Sequence, residues 1–192
     1  MSILEIIPGI IAFVVLLSVV WIVFVSWSNG ISPMPTSKAV RQAVTAEVNR
    51  IKGYGNIIEA GSGWGTLGLD VIRHCPGKRL TGIENSSLPL WISQLLTVLF
   101  TIFPKAAGSR ESLRNRVYFK RGDIYECTYG DADIVLCYLF PGAMERLAEK
   151  FKQELPRGAV VISVCFALPG RLPIRTVTCK DSLQTRVYVY AY

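Results

Sequence analysis

The distribution of apolar residues divides the chain into a charge-free N-terminal stretch and a longer region of short apolar runs. Residues 6–27 contain no charged side chain and consist mainly of isoleucine, valine, leucine and phenylalanine. A helix of this length spans a hydrocarbon layer of about 30 Å, and Trp21 and Trp27 lie near its end, where aromatic side chains favour the membrane interface. The pattern predicts a membrane anchor over residues 1–30, with one transmembrane helix at residues 6–27.

Residues 31–192 contain alternating strand and helix patterns, and we predict that they form one domain. Predicted strands cover residues 56–60, 79–84, 117–120, 132–140 and 159–168. Predicted helices cover residues 36–52, 66–74, 87–103 and 143–155. Strands that alternate with helices form a parallel sheet covered on both faces. Two further runs, at residues 175–179 and 186–192, predict an antiparallel hairpin that closes this α/β sheet.

The predicted helix at residues 87–103 is apolar almost throughout. It is short for a membrane span and contains Pro89, so we predict a helix that packs against the core. The pattern leaves open whether residues 88–103 also contact a bilayer. Residues 105–115 are polar and predict an irregular connection.

The charge distribution bears on the partners of the domain. The chain has 21 lysine and arginine residues against 14 acids, a net charge of +7. A basic domain can face anionic lipid, a nucleic acid or an acidic protein surface. The charges are spread without a long basic run, which argues against a nucleic acid. Residues 6–27 favour the membrane as a partner. Basic residues follow that segment, at positions 38, 41, 50 and 52, and none precedes it. The positive-inside rule therefore predicts a single-pass membrane protein whose domain faces the cytoplasm.

Histidine and cysteine usage argues against several reaction classes. His74 is the only histidine and lies at the predicted end of a helix, which disfavours a Ser-His-Asp triad or a multi-histidine metal site. None of the five cysteines belongs to a CxxC pair. We therefore predict no metal centre, and free, mostly buried thiols in a reducing compartment.

A glycine-rich turn is the strongest candidate for a ligand site. Residues 57–65 read Ile-Ile-Glu-Ala-Gly-Ser-Gly-Trp-Gly, so a buried strand ends near an acid and runs into alternating glycines. In parallel sheets, ligands bind at the carboxyl ends of strands, and glycine lets the backbone turn sharply and approach the ligand closely. The helix that begins near Thr66 adds the N–H groups of its N-terminus.

Acids at two further strand ends indicate a ligand with a nucleoside. Glu84 ends the second strand, 21 residues after Gly63, where a carboxylate can accept hydrogen bonds from both ribose hydroxyls. Asp123 follows the third strand and could meet an adenine ring. Three acids at successive strand ends are a more specific signal than the glycines alone.

The same glycines also fit a dinucleotide fingerprint, Gly63-x-Gly65-x-x-Gly68. Two observations favour S-adenosylmethionine instead. This ligand has no pyrophosphate, and it carries an ammonium group that Glu59 could bind. A dehydrogenase would also need more chain after the nucleotide-binding region than the hairpin found here.

These residues resemble motif I of the class I methyltransferases. Later stretches resemble a narrower family, namely Gly82-Ile83-Glu84-Asn85, residues 118–123 and Tyr138-Leu139-Phe140-Pro141. That family is the membrane-anchored protein-lysine methyltransferases of mitochondria, whose substrates are the ATP synthase c subunit and the adenine nucleotide translocase. The resemblance covers residues 33–192. It departs at Trp64, where the family tends to have an acid, and at Ser86-Ser87, where it has Asn-Pro.

The resemblance implies a fold, a cofactor and a set of site residues. The fold is a Rossmann-like, doubly wound, mostly parallel seven-stranded sheet, and the cofactor is S-adenosyl-L-methionine. The implied cofactor-binding residues are Glu59, Gly61, Ser62, Gly63, Gly65, Glu84, Asn85 and Asp123. Among them, Glu59 and the glycines would hold the methionine moiety, Glu84 the ribose and Asp123 the adenine. The implied catalytic residues at the mouth of the site are Tyr138, Phe140 and Pro141.

The predicted function is methyl transfer from S-adenosylmethionine to lysine side chains of a membrane-associated protein. Such a transfer depends on aligning donor and acceptor rather than on a dedicated base, which agrees with the single histidine. A lipid, quinone or RNA acceptor stays open at this point. So does a non-catalytic membrane-tethered module of the same fold.

Overall fold

The computed structural model describes residues 7–17, 20, 36–102 and 113–192, and it divides the chain into two units, Met1–Met34 and Pro35–Tyr192. In the first unit, residues 7–17 are helical (α1). Within the described ranges, no helix is both long and apolar enough to cross a membrane. The predicted transmembrane helix at residues 6–27 lies partly outside these ranges and stays a prediction.

The second unit is built around one sheet. Its strands are β1 (Gly55–Ala60), β2 (Lys78–Glu84), β3 (Val117–Arg121), β4 (Ile134–Cys137), β5 (Val160–Val164), β6 (Arg175–Thr178) and β7 (Arg186–Ala191). Its helices are α2 (Lys38–Arg50), α3 (Thr66–His74), α4 (Ser87–Ile102), α5 (Leu113–Arg116) and α6 (Pro141–Glu154).

The strand order is β3-β2-β1-β4-β5-β7-β6. The first five strands in this order are parallel, and β7 pairs antiparallel with both β5 and β6. The predicted seven-stranded, doubly wound sheet with a C-terminal antiparallel hairpin is thereby confirmed. The order reverses between β1 and β4, the position at which such sheets bind ligands.

Local sequence explains where the helices begin. The Oγ of Ser37 accepts a hydrogen bond from the backbone N–H of Val40, so Ser37 caps α2. The helix α6 begins at Pro141, two residues before its predicted start. Proline suits a first helical position because the N–H that it lacks would have no helical partner there.

Helices pack on both faces of the sheet. On one face, α2, α3 and α4 bury a cluster that includes Ile57 and Leu136. On the other face, α6 packs through Leu147 and Phe151 against residues such as Val135. The connection from β3 to β4 contains turns but no helix. A groove of about 430 Å³ lies over β2 and β3, and its lining includes Thr81, Tyr118 and Lys120.

Three predicted elements were wrong in extent. Residues 138–140 and 165–168 lie outside β4 and β5, although Leu139 and Leu168 are buried. A run of apolar residues indicates burial but does not show that the residues form a strand. The side chains of Leu139 and Leu168 reach the core from irregular backbone. After β5 the chain turns at Cys165, which has a φ of 72°. Residues 113–116 form α5, where the sequence predicted an irregular connection.

Candidate active site

The loop between β1 and α3 requires glycine for its conformation and its packing. Gly61, Gly63 and Gly65 have φ values of 69°, 52° and 70°, a region that residues with a side chain rarely adopt. A Cβ at Gly61 would lie 2.6 Å from Leu139 Cδ2, and one at Gly65 would lie 2.6 Å from Phe119 Cζ. The predicted glycine turn therefore lies tightly against the end of β4 and against β3.

The centre of this loop has features that fit a polar ligand. A Cβ at Gly63 would meet no atom within 4 Å, so the backbone there faces open space. In the same loop, the buried Ser62 Oγ has no hydrogen-bond partner among the described residues. Glu59 Oε2 also lacks one, but it lies beneath α3, against Gly68. The open backbone and the unpartnered hydroxyl of Ser62 suit the amino-acid end of S-adenosylmethionine.

Glu84 joins the loop to the end of β2. Its Oε2 accepts a hydrogen bond from the backbone N–H of Gly63 (2.8 Å), and its Oε1 accepts one from the N–H of Ser86 (2.9 Å). The residue is 8% exposed. Because each carboxylate oxygen can accept more than one hydrogen bond, Glu84 can still receive the hydroxyls of a ribose.

Glu59 is placed differently from the other acids. It is 4% exposed, and its Oε1 accepts a hydrogen bond from the N–H of Gly68 in α3 (3.2 Å). Burial raises the pKa of Glu59 to about 8, against the lowering effect of the Gly68 hydrogen bond and with a further increase from the charge of Glu84. Glu59 is therefore buried beneath α3, where its hydrogen bond to Gly68 links the end of β1 to the helix. The contact of Glu59 with an ammonium group stays a prediction.

The raised pKa of Glu59 predicts a pH-dependent stability. Between pH 4.5 and about 8 the folded protein keeps this carboxyl protonated, whereas the unfolded chain ionises it. The native state then binds more protons, so the free energy of unfolding falls as the pH rises, by up to about 1.4 kcal/mol per pH unit. Glu59→Gln should remove this slope in urea unfolding measured at several pH values, and identical slopes for both proteins would contradict the assignment.

Asn85 and Asp123 lie at the same edge of the sheet. Both are exposed, at the ends of β2 and β3. The Oδ1 of Asn85 accepts a hydrogen bond from Ser86 Oγ (3.1 Å), and the Oδ1 of Asp123 accepts one from the N–H of Tyr125 (2.8 Å). The backbone N–H of Gly122 donates to the carbonyl of Glu84 (3.1 Å), which ties the two strand ends together.

The predicted mouth residues follow β4. Tyr138 and Phe140 are half-buried, and the exposed Pro141 opens α6. Burial raises the pKa of Tyr138, and the neighbouring Cys165 and Asp181 raise it further. The Tyr138 hydroxyl therefore stays protonated at neutral pH and can orient an acceptor, but it is no base.

A polar cluster near Tyr138 was missed in the sequence. Asp181, in the turn between β6 and β7, accepts hydrogen bonds from the Thr185 hydroxyl (2.6 Å), the Thr185 N–H (2.8 Å) and Ser37 Oγ (3.4 Å). The Thr185 hydroxyl is the main cause of the lowered pKa of Asp181. No local motif signals the cluster, because Ser37 and Asp181 are 144 residues apart.

His74 and the cysteines lie where the sequence placed them. His74 is exposed at the end of α3, with its Nδ1 2.8 Å from the carbonyl oxygen of Asp70. All five cysteines are free thiols, three of them buried. Cys165 is exposed at the end of β5.

Comparisons with known proteins agree with this architecture. The family model for the ANTKMT methyltransferase domain matches residues 59–175, more than half of the chain, and this span includes all of the predicted site residues. No individual curated protein sequence matches the chain.

Solved structures share the fold. An RNA methyltransferase from Salinibacter ruber, in complex with S-adenosyl-L-homocysteine, is 24% identical with a TM-score of 0.69, over 82% of this chain and 93% of that one. A SAM-dependent methyltransferase from Geobacter sulfurreducens, also in complex with S-adenosyl-L-homocysteine, is 19% identical with a TM-score of 0.54, over 68% of this chain and 49% of that one. At these identities the likeness shows the fold alone. Together with the family match, it means that the chain belongs to the ANTKMT methyltransferase domain family, among the S-adenosylmethionine-dependent class I methyltransferases.

Proposed function

We propose that the protein transfers the methyl group of S-adenosylmethionine to the side-chain nitrogen of a lysine in a membrane-associated protein. The observation that carries the proposal is the family match, which extends from the glycine loop through the mouth residues. The mitochondrial lysine methyltransferases that the sequence resembles at residues 138–141 act on membrane proteins. We further propose that residues 6–27 anchor the protein as a single-pass segment, with the domain on the cytoplasmic side.

The residues around the loop suit this chemistry. S-adenosylmethionine, when bound, supplies a methyl group already activated on a sulfonium centre. The chain has to align the acceptor with that methyl and to exclude water. A lysine reacts as the neutral amine, and partial burial at the mouth lowers its pKa. Tyr138 would orient the amine, and the negatively charged Asp181 would attract the incoming ammonium group to this edge.

Tyr138→Phe should lower kcat about ten-fold, because it removes one hydrogen bond worth about 1.4 kcal/mol to the aligned amine. The KM for S-adenosylmethionine should not change. Steady-state kinetics of the full chain would measure both constants, with Tyr118→Phe as the matched control on the exposed face of β3. A higher KM for the cofactor with an unchanged kcat would instead place Tyr138 in the cofactor site.

A labelling experiment tests the acceptor. The full chain is incubated with methyl-labelled S-adenosylmethionine and membranes from cells that lack the protein, and protein, extractable lipid and RNA are then separated. Label recovered as methyllysine after protein hydrolysis is the expected result. Label in the lipid or RNA fraction alone would overturn the lysine assignment. A protein that binds the cofactor but labels no fraction would indicate a non-catalytic module.

A further inference from the structure

Helix α4 presents a continuous apolar stripe to solvent. The stripe consists of Leu88, Trp91, Leu95, Val98, Leu99 and Ile102, which are between 39% and 67% exposed. Their spacing of three and four residues places them on one face of the helix. None of the 16 residues of α4 is charged. A domain surrounded only by water seldom exposes such a surface.

The opposite face of α4 is fixed to the domain. Leu90, Ser93 and Thr97 are buried there. The Ser93 hydroxyl donates to the carbonyl of Leu90 (2.7 Å), and the Thr97 hydroxyl donates to that of Ser93 (2.8 Å), so both buried hydroxyls are satisfied. Gln94 Nε2 also donates to the carbonyl of Phe119 in β3 (3.2 Å). The stripe is therefore the outer surface of a firmly packed helix.

We propose that this stripe docks on the surface of a lipid bilayer, with α4 lying in the plane of the interface. The described part of α4, 16 residues, is about 24 Å long, and its buried face packs against β2 and β3. Because the sheet occupies this face, α4 can lie on a membrane but cannot be surrounded by lipid within one. Trp91, the most exposed residue of the stripe, has the side chain that favours the interface.

The length of the chain supports a bilayer as the occupant. Only residues 28–35 separate the predicted membrane segment from Thr36, the first described residue of the domain. Even fully extended, these residues reach no more than about 30 Å. A domain tethered so closely meets lipid at a high local concentration.

The charges beside α4 point to the same occupant. The guanidinium of Arg73 lies 4.7 Å from the centre of the Phe100 ring. Arg114 is exposed on α5, which packs against α4. Basic side chains next to an apolar helix face suit the anionic headgroups of a membrane.

Docking through α4 would also orient the active site. The stripe begins at Leu88, four residues after Glu84, and α4 therefore starts at the edge of the sheet that carries the predicted cofactor site. The mouth would be held close to the headgroups, where membrane-bound acceptors lie. The inference holds for any methyl acceptor and does not depend on lysine.

Photocrosslinking of the full chain tests the docking. The chain is reconstituted in vesicles of phosphatidylcholine and phosphatidylserine, with p-benzoylphenylalanine in place of Trp91 or, as a second variant, of Leu95. The matched control carries the same group in place of Glu149, which is exposed on α6 on the other face of the sheet. Mass spectrometry after irradiation should find lipid adducts at positions 91 and 95 in several-fold excess over position 149.

Three results would overturn the docking. Crosslinks from positions 91 and 95 to a second copy of the chain would make the stripe a dimer interface. Crosslinks to residues 6–27 of the same chain would mean that the N-terminal segment covers α4. Equal lipid adducts at positions 91, 95 and 149 would show that α4 has no preferred contact with the membrane. Since all three positions are exposed, each variant should keep the unfolding midpoint of the unmodified protein.

Discussion

Glu84→Ala is expected to weaken the binding of S-adenosylmethionine at least about a hundred-fold, the largest effect of any single change at the site. The substitution leaves the part-buried N–H groups of Gly63 and Ser86 without their acceptor, so the loop loses two contacts that fix its position before the cofactor binds. It also removes the carboxylate that would accept hydrogen bonds from the two ribose hydroxyls. A hydrogen bond to a charged group contributes about 1.5–3 kcal/mol, so the loss of both bonds accounts for the expected change in affinity. Calorimetric titration of the cofactor into the full chain in detergent measures the loss.

Two further variants separate the role of the Glu84 carboxylate from a general effect of removing an acid. Glu149→Ala removes an exposed acid from α6 and should leave the affinity unchanged. Glu84→Gln keeps the shape of the side chain but turns one acceptor into a donor, which would face a backbone N–H, so it should bind nearly as weakly as the alanine variant. Wild-type affinity in Glu84→Gln would show that the two backbone contacts do not need the carboxylate.

Gly65→Ala is expected to lower the free energy of unfolding by about 2–5 kcal/mol. A side chain at a left-handed φ costs about 1–2 kcal/mol, and overpacking adds about 1–3 kcal/mol. The overpacking arises because the new Cβ would lie 2.6 Å from Phe119 Cζ and 2.8 Å from Ser93 Cβ. Reversible urea unfolding of the full chain in detergent, followed by circular dichroism, measures the change.

Gly63→Ala is the matched control for this prediction. Its φ of 52° carries the same conformational cost of about 1–2 kcal/mol, but no atom lies within 4 Å of its Cβ. Gly63→Ala should therefore unfold more easily than the wild type by that smaller amount, and should lose cofactor affinity because the methyl group occupies the open side of the loop. Equal destabilisation by the two substitutions would mean that packing on Phe119 does not constrain the loop.

The order of elements follows from the sequence because local signals coincide there. Between β1 and β2, for example, the acid, the glycines and the Pro76-Gly77 turn mark each boundary, and α3 begins and ends at the predicted residues 66–74. The position of Glu84 followed from the same logic, since parallel strands end at one edge of the sheet. These features depend on residues close together in the chain.

The direction of Glu59 could have been inferred and was not. Side chains alternate along a strand, so Glu59 lies on the same face as Ile57, which is the face covered by α3. That alternation places the carboxyl beneath the helix. The prediction instead assigned the carboxyl of Glu59 to the ammonium group of the ligand, because Glu59 lies just before the glycine turn.

Other features depend on contacts that no local pattern records. The hydrogen bond of Ser37 to Asp181 joins the start of α2 to the last hairpin. The apolar sequence of α4 predicted a helix that packs against the core. Because almost every residue is apolar, the pattern did not distinguish the side chains that face the sheet from those that, like Trp91, face outward. The ends of β4 and β5 were overestimated for a related reason, because Leu139 and Leu168 are buried without belonging to a strand.

The most direct test of the central claim is a calorimetric titration of the full chain in detergent with S-adenosylmethionine and, separately, with NAD. The account predicts saturable binding of S-adenosylmethionine that S-adenosyl-L-homocysteine competes away, and no binding of NAD. A protein that is folded by circular dichroism but binds no S-adenosylmethionine would contradict the account, and so would one that binds NAD at the glycine loop.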